Sequence, residues 1–184
     1  MGSGKGKIRR TLSALPRHED GSHLHINKFG FEEWVDDNGK VHRVDGPAFE
    51  KPDGTKEWRF HGELHRLDGP AMEFSNGRRD WWFNGRRHRV DGPAVEYADG
   101  GMLWYLNGEL HRDGGPSVEG ADGHTEWHQN GNRHRVDGPA LVRADGSEQW
   151  YFDGVADTRE GVAESSLVSR LGKIKLVAPE RVTF

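Results

Sequence analysis

The sequence contains no cysteine and no long run of apolar residues. Without cysteine, neither a disulfide framework nor a thiolate zinc site is available, and nothing indicates an oxidising compartment. No segment approaches the roughly 20 apolar residues of a transmembrane helix, and the N-terminus lacks the apolar centre of a signal peptide. Only 33% of the 184 residues are hydrophobic, so a compact globule would be thinly filled. We therefore expect a cytoplasmic protein with no membrane span and no secretion signal.

The formal net charge of −4 is unevenly distributed. Residues 1–17 carry five basic and no acidic residues, and residues 165–184 carry four basic residues and one acidic residue. The chain between these ends has 17 basic and 29 acidic residues, a net charge of −12. Two basic ends therefore flank an acidic body. The ends could dock on that body or bind an acidic partner, and the sequence leaves both alternatives open.

Most of the sequence consists of a repeated 23-residue unit. Residues 88–94 read HRVDGPA, and near-copies of this motif begin at His42, His65, His111 and His134, each 23 residues from the next. The same period places one tryptophan and two turn glycines in each unit; the tryptophans are Trp58, Trp81, Trp104, Trp127 and Trp150. A period kept in several columns indicates one structural unit stacked on copies of itself.

Each unit carries two short-turn signals, one Asp-Gly or Asn-Gly and one Asn-Gly, His-Gly or Asp-Gly. The segments between them are too short for helices and are rich in strand formers. We therefore predict a mainly β protein, an elongated single-sheet array of stacked antiparallel β-hairpins. Strand alternation predicts a core face built from the tryptophans, from Phe60, Phe83, Leu106 and Phe152, and from Phe49, Met72, Val95, Val118 and Leu141.

The pattern W-x-x-x-G-x-x-H, followed by a second Asp-Gly turn and a new tryptophan after 23 residues, resembles the MORN repeat. The motif HRVDGPA stands where that family usually has His-Gly-x-Gly, a form associated with bacterial and bacteriophage repeat proteins. Five full units run from about Gly39 to Gly154, and the resemblance extends over roughly residues 18–163. It implies a curved antiparallel sheet that serves as a scaffold, a protein-binding module or a lipid-associated module, and a virion location is one setting for it.

The repeated motif does not predict a catalytic or metal site. Equivalent residues of successive hairpins lie roughly 9–10 Å apart, whereas each ligand of a zinc ion must lie within about 2.0–2.1 Å of it. An active site is one convergent group of residues, and no Ser or Cys recurs beside the histidines. We predict no enzyme activity, no metal and no cofactor.

We predict instead that the motif builds the turn that joins one hairpin to the next. In this interpretation Asp91 accepts backbone hydrogen bonds, Gly92 supplies an unusual backbone conformation, Pro93 fixes φ, and Arg89 bridges to a carboxylate of the neighbouring repeat.

The chain divides into three parts: a basic N-terminal arm over 1–17, the repeat array over 18–157, and a C-terminal segment over 158–184. Residues 157–160, where the last part begins, have the spacing of a capping box. Within that part, Ala163, Leu167 and Leu171 recur every four residues. We predict a short helix at about 158–171 that caps the open end of the sheet, followed by a strand at 173–178.

The leading functional hypothesis is a non-enzymatic scaffold for protein binding or self-assembly, such as a phage structural protein or an inhibitor of a host factor. Its predicted contact column, on the sheet face opposite the tryptophans, is Arg59, Trp82, Tyr105, His128 and Tyr151. The alternative is a carbohydrate or cell-wall-binding module, because 104–108 and 150–154 read WYLNG and WYFDG. Nucleic-acid binding is disfavoured by the acidic body.

Overall fold

The computed structural model describes residues 17–157, and every regular element in that range is a β-strand. Twelve strands form one antiparallel sheet in which neighbours in the sheet follow one another along the chain. They are β1 (His23–Ile26), β2 (Glu32–Val35), β3 (Phe49–Glu50), β4 (Lys56–Glu57), β7 (Met72–Glu73), β8 (Arg79–Asp80), β11 (Val95–Glu96), β12 (Met102–Leu103), β15 (Val118–Glu119), β16 (Thr125–Glu126), β19 (Leu141–Val142) and β20 (Glu148–Gln149). The predicted array of stacked antiparallel hairpins is confirmed.

A second hairpin follows in each repeat and forms its own two-stranded ladder. Sequence analysis did not distinguish it from the first. Its strands are β5 (Arg59–Phe60) and β6 (Glu63–Leu64), β9 (Trp82–Phe83) and β10 (Arg86–Arg87), β13 (Tyr105–Leu106) and β14 (Glu109–Leu110), β17 (His128–Gln129) and β18 (Asn132–Arg133), and β21 (Tyr151–Phe152) and β22 (Val155–Ala156).

The repeat tryptophans join the two kinds of hairpin. The backbone N–H of Trp58 donates to the carbonyl of Ala71 at 2.8 Å, and its own carbonyl accepts the N–H of His65 at 3.1 Å. One residue is thus bonded to the next main hairpin and to the end of its own second hairpin. The same two bonds recur at Trp81, Trp104 and Trp127.

The turns of the second hairpins have the backbone conformation that their sequences predict. His61 has φ 49° and the glycine after it has φ 91°, so both central residues lie in the left-handed region, as type I′ turns require. The same pair of positive angles occurs at 84–85, 107–108, 130–131 and 153–154.

The predicted core face is wrong in part. Phe49 lies opposite Glu57 across the β3–β4 pair, and directly opposed residues share a face. Glu57 and Arg59 lie on one side of the strand, since Arg59 Nε donates to Glu57 Oε2 at 2.7 Å. The column of Phe49, Met72, Val95, Val118 and Leu141 therefore lies with the Arg59 column and not with the tryptophans.

The core of the described residues is small. Its fully buried apolar members are Val95 and the alanines of the motif, while Phe60, Phe83 and Phe152, which we expected in the core, are exposed. The phenylalanines instead contact motif histidines, with ring centroids of His42 and Phe60 4.8 Å apart.

Three expectations lie outside the described residues: the basic arm up to residue 16, the capping helix at 158–171 and the strand at 173–178. Within residues 17–157, no helix has the length and apolar character needed to cross a membrane.

Candidate functional site

Each repeat has a motif loop, a name used here for 43–46, 66–69, 89–92, 112–115 and 135–138. The motif arginine is the first residue of each loop. The guanidinium carbon of Arg89 lies 4.1 Å from the ring centroid of Trp81. Its Nε donates to Asp91 Oδ1 at 3.0 Å, and Nη1 donates to the carbonyl of Pro93 at 3.2 Å. The stacking on tryptophan recurs in the other four motif loops. Each arginine therefore fixes the loop to the sheet through one cation–π contact and several hydrogen bonds.

One detail of the predicted motif is confirmed and one is wrong. Arg89 pairs with Asp91 of its own loop, and its Nη1 also lies 3.0 Å from Oε1 of Glu96 in β11, the first strand of the next main hairpin. Gly92 does not have a positive φ. A side chain is excluded there because a Cβ on Gly92 would lie 2.9 Å from Arg89 Cζ. The glycine thus makes room for the guanidinium.

The motif histidine links each repeat to the next. The backbone N–H of Asn107 donates to Nδ1 of His88 at 3.1 Å, and the N–H of Gly108 donates to the carbonyl of Arg87 at 2.8 Å. The same contact between the histidine Nδ1 and a backbone nitrogen 19 residues later occurs for all five motif histidines. At His65 and His134 the Nδ1 also lies 2.7 Å from a side-chain oxygen, of Asn84 and Asp153 respectively. The prediction that the motif locks one hairpin to the next is confirmed, with the imidazole as the linking group.

Burial favours the neutral form of the first of these histidines. His42 is buried, and this burial, together with the nearby His61, holds the pKa of His42 below its usual value. His61 in turn lies with Nδ1 2.6 Å from Asp36 Oδ2, and this hydrogen bond is the main cause that lowers the pKa of Asp36 to about 2. The first repeat junction is therefore a small polar network that depends on an unprotonated imidazole.

Successive motif loops enclose a row of clefts, called the cleft row below. The first cleft, of about 490 Å³, lies between the loops at 43–46 and 66–69, and Trp58, Phe60 and His65 contribute to its lining. The second, of about 390 Å³, lies one repeat further on and has the equivalent lining from Trp81, Phe83 and His88. A cleft of about 460 Å³ lies between the loops at 112–115 and 135–138.

An exposed aliphatic side chain stands at the tip of most motif loops, at the variable position after the arginine. Val44 is 64% exposed, Leu67 is 82% exposed and Val90 is 84% exposed. Leu67 contributes to the lining of both the first and the second cleft. Scattered exposed apolar residues are ordinary, but these three stand at equivalent positions of adjacent repeats and line two neighbouring clefts.

The five residues of the predicted contact column each begin the first strand of a second hairpin, so the structure does bring them into one column. Their side chains already have partners within the protein. Arg59 donates to Glu57 and to the carbonyl of Gly62. The guanidinium of Arg87 lies 5.0 Å from the ring centroid of Trp82 and 5.5 Å from that of Tyr105. The guanidinium of Arg133 lies 5.3 Å from the ring centroid of Tyr151.

His128, the fourth residue of the column, is buried, and this burial lowers its pKa. Its Nδ1 lies 2.8 Å from the hydroxyl of Ser117, which stands where the other repeats have the motif alanine. The fourth repeat therefore holds a polar pair where three of the other four repeats have an alanine and an aromatic residue. His128 also contributes to the lining of the cleft of about 460 Å³.

Sequence analysis missed a row of buried and half-buried carboxylates on the same face. Asp80 is fully buried and accepts from Arg78 at 2.6 and 2.7 Å and from Arg87 at 3.1 and 3.2 Å. Glu57 and Glu126 occupy the equivalent positions and also pair with cations. The signal was present in the 23-residue spacing of these acids, but Leu103 and Gln149 interrupt it. A buried charge without a partner is costly, which explains why each acid has at least one arginine.

The chain matches no protein-family model and no curated protein. Within residues 17–157, no group of three or more His, Cys, Asp or Glu side chains is placed to hold a metal ion. What that range does present is a row of clefts, lined by aromatic, aliphatic and charged side chains, between loops held by arginine–tryptophan contacts.

Proposed function

We propose that this protein is a non-enzymatic, MORN-type repeat scaffold that binds a protein partner or assembles with its own copies. One observation carries the proposal: Val44, Leu67 and Val90 expose large aliphatic side chains at equivalent positions of three adjacent repeats. Keeping such a row in water has no benefit for the fold, because none of the three side chains fills the core. Covering the row with a partner would remove that apolar surface from water. A bacteriophage setting, in virion assembly or in the inhibition of a host protein, is part of the proposal.

The rigidity of the array supports this function. Each motif loop is fixed by an arginine stacked on tryptophan, and each repeat junction is fixed by a contact of the motif histidine. A surface that is already ordered loses little conformational entropy on binding. The scaffold therefore displays its clefts at a regular interval without reorganisation.

The cleft row is a better contact surface than the predicted column. A partner that used Arg59 would compete with Glu57, and one that used His128 would need access to a buried ring. The cleft-row side chains Leu67 and Val90 are exposed and can be covered without breaking an internal bond. The column of Arg59, Trp82, Tyr105, His128 and Tyr151 stays a prediction that the same experiment tests.

The arrangement of the tryptophans weighs against the carbohydrate alternative. Sugars stack on open aromatic faces, and here a guanidinium covers one face of the indole, at 4.1 Å for Trp58 and 3.8 Å for Trp104. Displacing that arginine would also break its bonds within the motif loop. We therefore propose a protein partner rather than a glycan.

Site-specific photo-crosslinking in the native cells tests the proposal. A photoreactive residue replaces Leu67 in one variant of the full chain, Trp82 in a second and Val155 in a third. Val155 is the matched control because it is an equally exposed aliphatic residue outside the cleft row. We expect one discrete protein adduct at position 67 and none at 155. Equal adduct patterns at all three positions would contradict the proposal, and an adduct at 82 alone would transfer the contact to the predicted column.

A further inference from the structure

The cleft row has a fixed spacing that selects among ligand conformations. Each repeat adds two strands to the main sheet, and strands lie about 4.8 Å apart, so equivalent points of adjacent repeats are about 9.6 Å apart. Leu67 separates the first two clefts, and Val44 and Val90 stand at their outer sides. A ligand that fills both clefts must present side chains to one side at this interval.

A polyproline II segment has this interval. It rises about 3.1 Å per residue with three residues per turn, so every third side chain returns to the same side after about 9.3 Å. A β-strand returns a side chain to the same side after about 6.6 Å, and an α-helix does so after about 10.5 Å, over seven residues. Across several repeats only the polyproline II segment stays close to the spacing of the clefts.

The lining of the clefts also suits such a ligand. The exposed aromatic side chain of the first cleft is Phe60, and that of the second cleft is Phe83. Grooves lined by aromatic side chains are the usual receptors of polyproline II peptides, whose backbone is already extended and loses little entropy on binding.

Arginine and aspartate line the first two clefts in equal number, but the aspartates are the more exposed of the two and the array as a whole is acidic. The carboxylates of Asp45, Asp68 and Asp91 are 55%, 83% and 84% exposed, whereas the paired arginines lie beneath them against tryptophan. Residues 17–157 together have 17 basic and 27 acidic residues, a net charge of −10. A cationic ligand is therefore attracted to the array, and its basic side chains can reach the exposed carboxylate oxygens.

We propose that the cleft row binds a polyproline II segment of a partner protein, with an apolar residue at every third position and basic residues between them. The inference rests on the proposed scaffold function and specifies its ligand. Successive apolar side chains enter successive clefts, and the basic side chains lie beside Asp45, Asp68 and Asp91. The period of three residues then sets the register of the partner on the array.

Synthetic peptides test the proposal with the full chain. The probe is a fluorescent 12-residue peptide of four Leu-Pro-Arg units, in which each leucine precedes proline and is thereby held in an extended conformation. One control has the same composition with irregular leucine spacing, and a second replaces every leucine by serine. We expect fluorescence anisotropy to give at least about tenfold weaker binding for each control, since each leucine outside a cleft forfeits its burial.

Variants of the protein test the same proposal by changing the cleft instead of the peptide. Leu67→Asp should weaken binding of the periodic peptide about tenfold or more, whereas Val155→Asp should leave it unchanged. The fourth motif already has Asp113 at the position of Leu67, so the substitution is compatible with the loop. Thermal unfolding by circular dichroism checks that both variants are folded.

The outcomes separate this inference from the proposed function. Equal binding of the periodic and irregular peptides, or an equal effect of Leu67→Asp and Val155→Asp, would show attraction by charge alone and overturn the inference. If no peptide binds while the crosslink at position 67 persists, the polyproline II ligand is wrong and the scaffold function stands. If both the peptide and the crosslink are absent, both proposals fail.

Discussion

Gly92 lies directly against the guanidinium of Arg89, so that a Cβ at Gly92 would come within 2.9 Å of Arg89 Cζ. The same approach occurs in the other four motif loops, at 3.0 Å or less. The motif HRxDGPA is therefore a unit in which the glycine, the arginine and the preceding tryptophan pack together. This packing explains the glycine without any appeal to a special backbone angle.

Gly92→Ala should destabilise the array. The added methyl group must displace a guanidinium that is also bonded to Asp91 and Pro93, and overpacking of this kind costs about 1–3 kcal/mol. Gly101→Ala is the control, because its Cβ would meet only side-chain atoms at 3.3 Å or more and its φ is not positive. Midpoints of urea unfolding make the comparison. Equal midpoints for the two variants would show that the guanidinium moves aside without loss of stability.

The stability of the array should fall as the pH drops through about 6.5. Burial holds the pKa of His42 and of His128 below the usual value of 6.5, so the unfolded chain binds these protons before the folded chain does. The contribution of the neutral histidines to the free energy of unfolding is therefore complete above this pH and decreases progressively below it. Urea unfolding measured at several pH values checks the sign, and a midpoint that rises on acidification would contradict it.

The buried pair of Ser117 and His128 should be coupled. The two groups are 2.8 Å apart, and three of the other four repeats have alanine and an aromatic residue at these positions. Ser117→Ala alone removes a partner of the imidazole, whereas Ser117→Ala combined with His128→Tyr gives the pair that the next repeat has at Ala140 and Tyr151. A double-mutant cycle should give a coupling energy of about 0.5–3 kcal/mol. A coupling energy of zero would mean that the contact between Ser117 and His128 does not contribute to stability.

The position of a carboxylate should decide the effect of its removal. Asp80 is 0% exposed, and Asp80→Leu leaves Arg78 and Arg87 without their acid, which should cost about 3–5 kcal/mol. The carboxylate of Asp68 is 83% exposed and pairs with Arg66 in solvent, so Asp68→Ala should destabilise the protein far less than Asp80→Leu. Thermal unfolding of both variants tests this, and equal losses would refute the assigned role of burial.

Much of the fold could be predicted from the sequence, because the turn pairs such as Asn107-Gly108 and the 23-residue period both follow from local chemistry. The side of the sheet on which Phe49 lies could not be predicted, because it depends on which residue of β4 lies opposite Phe49 across the turn. That register is set by the loop 51–55, where Lys51 N donates to Thr55 O at 2.8 Å. Alternation along one strand does not contain this information.

The candidate site was harder to predict than the fold. The variable position of the motif holds Val44, Leu67 and Val90, and in the sequence these look like ordinary residues of an apolar strand. Their exposure depends on the arginine beneath the loop turning toward tryptophan, which only the three-dimensional packing shows. The aromatic column that sequence analysis favoured stays a prediction.

The most direct test of the account is the affinity of the protein partner recovered by crosslinking for two variants of the full chain. Leu67→Asp changes the cleft row, and Tyr105→Ala changes the column on the opposite face. We expect Leu67→Asp to weaken binding by about tenfold or more, in proportion to the apolar burial lost, and Tyr105→Ala to leave it unchanged. Loss of binding with Tyr105→Ala and full affinity with Leu67→Asp, both variants being folded, would contradict the assignment of the cleft row as the contact surface.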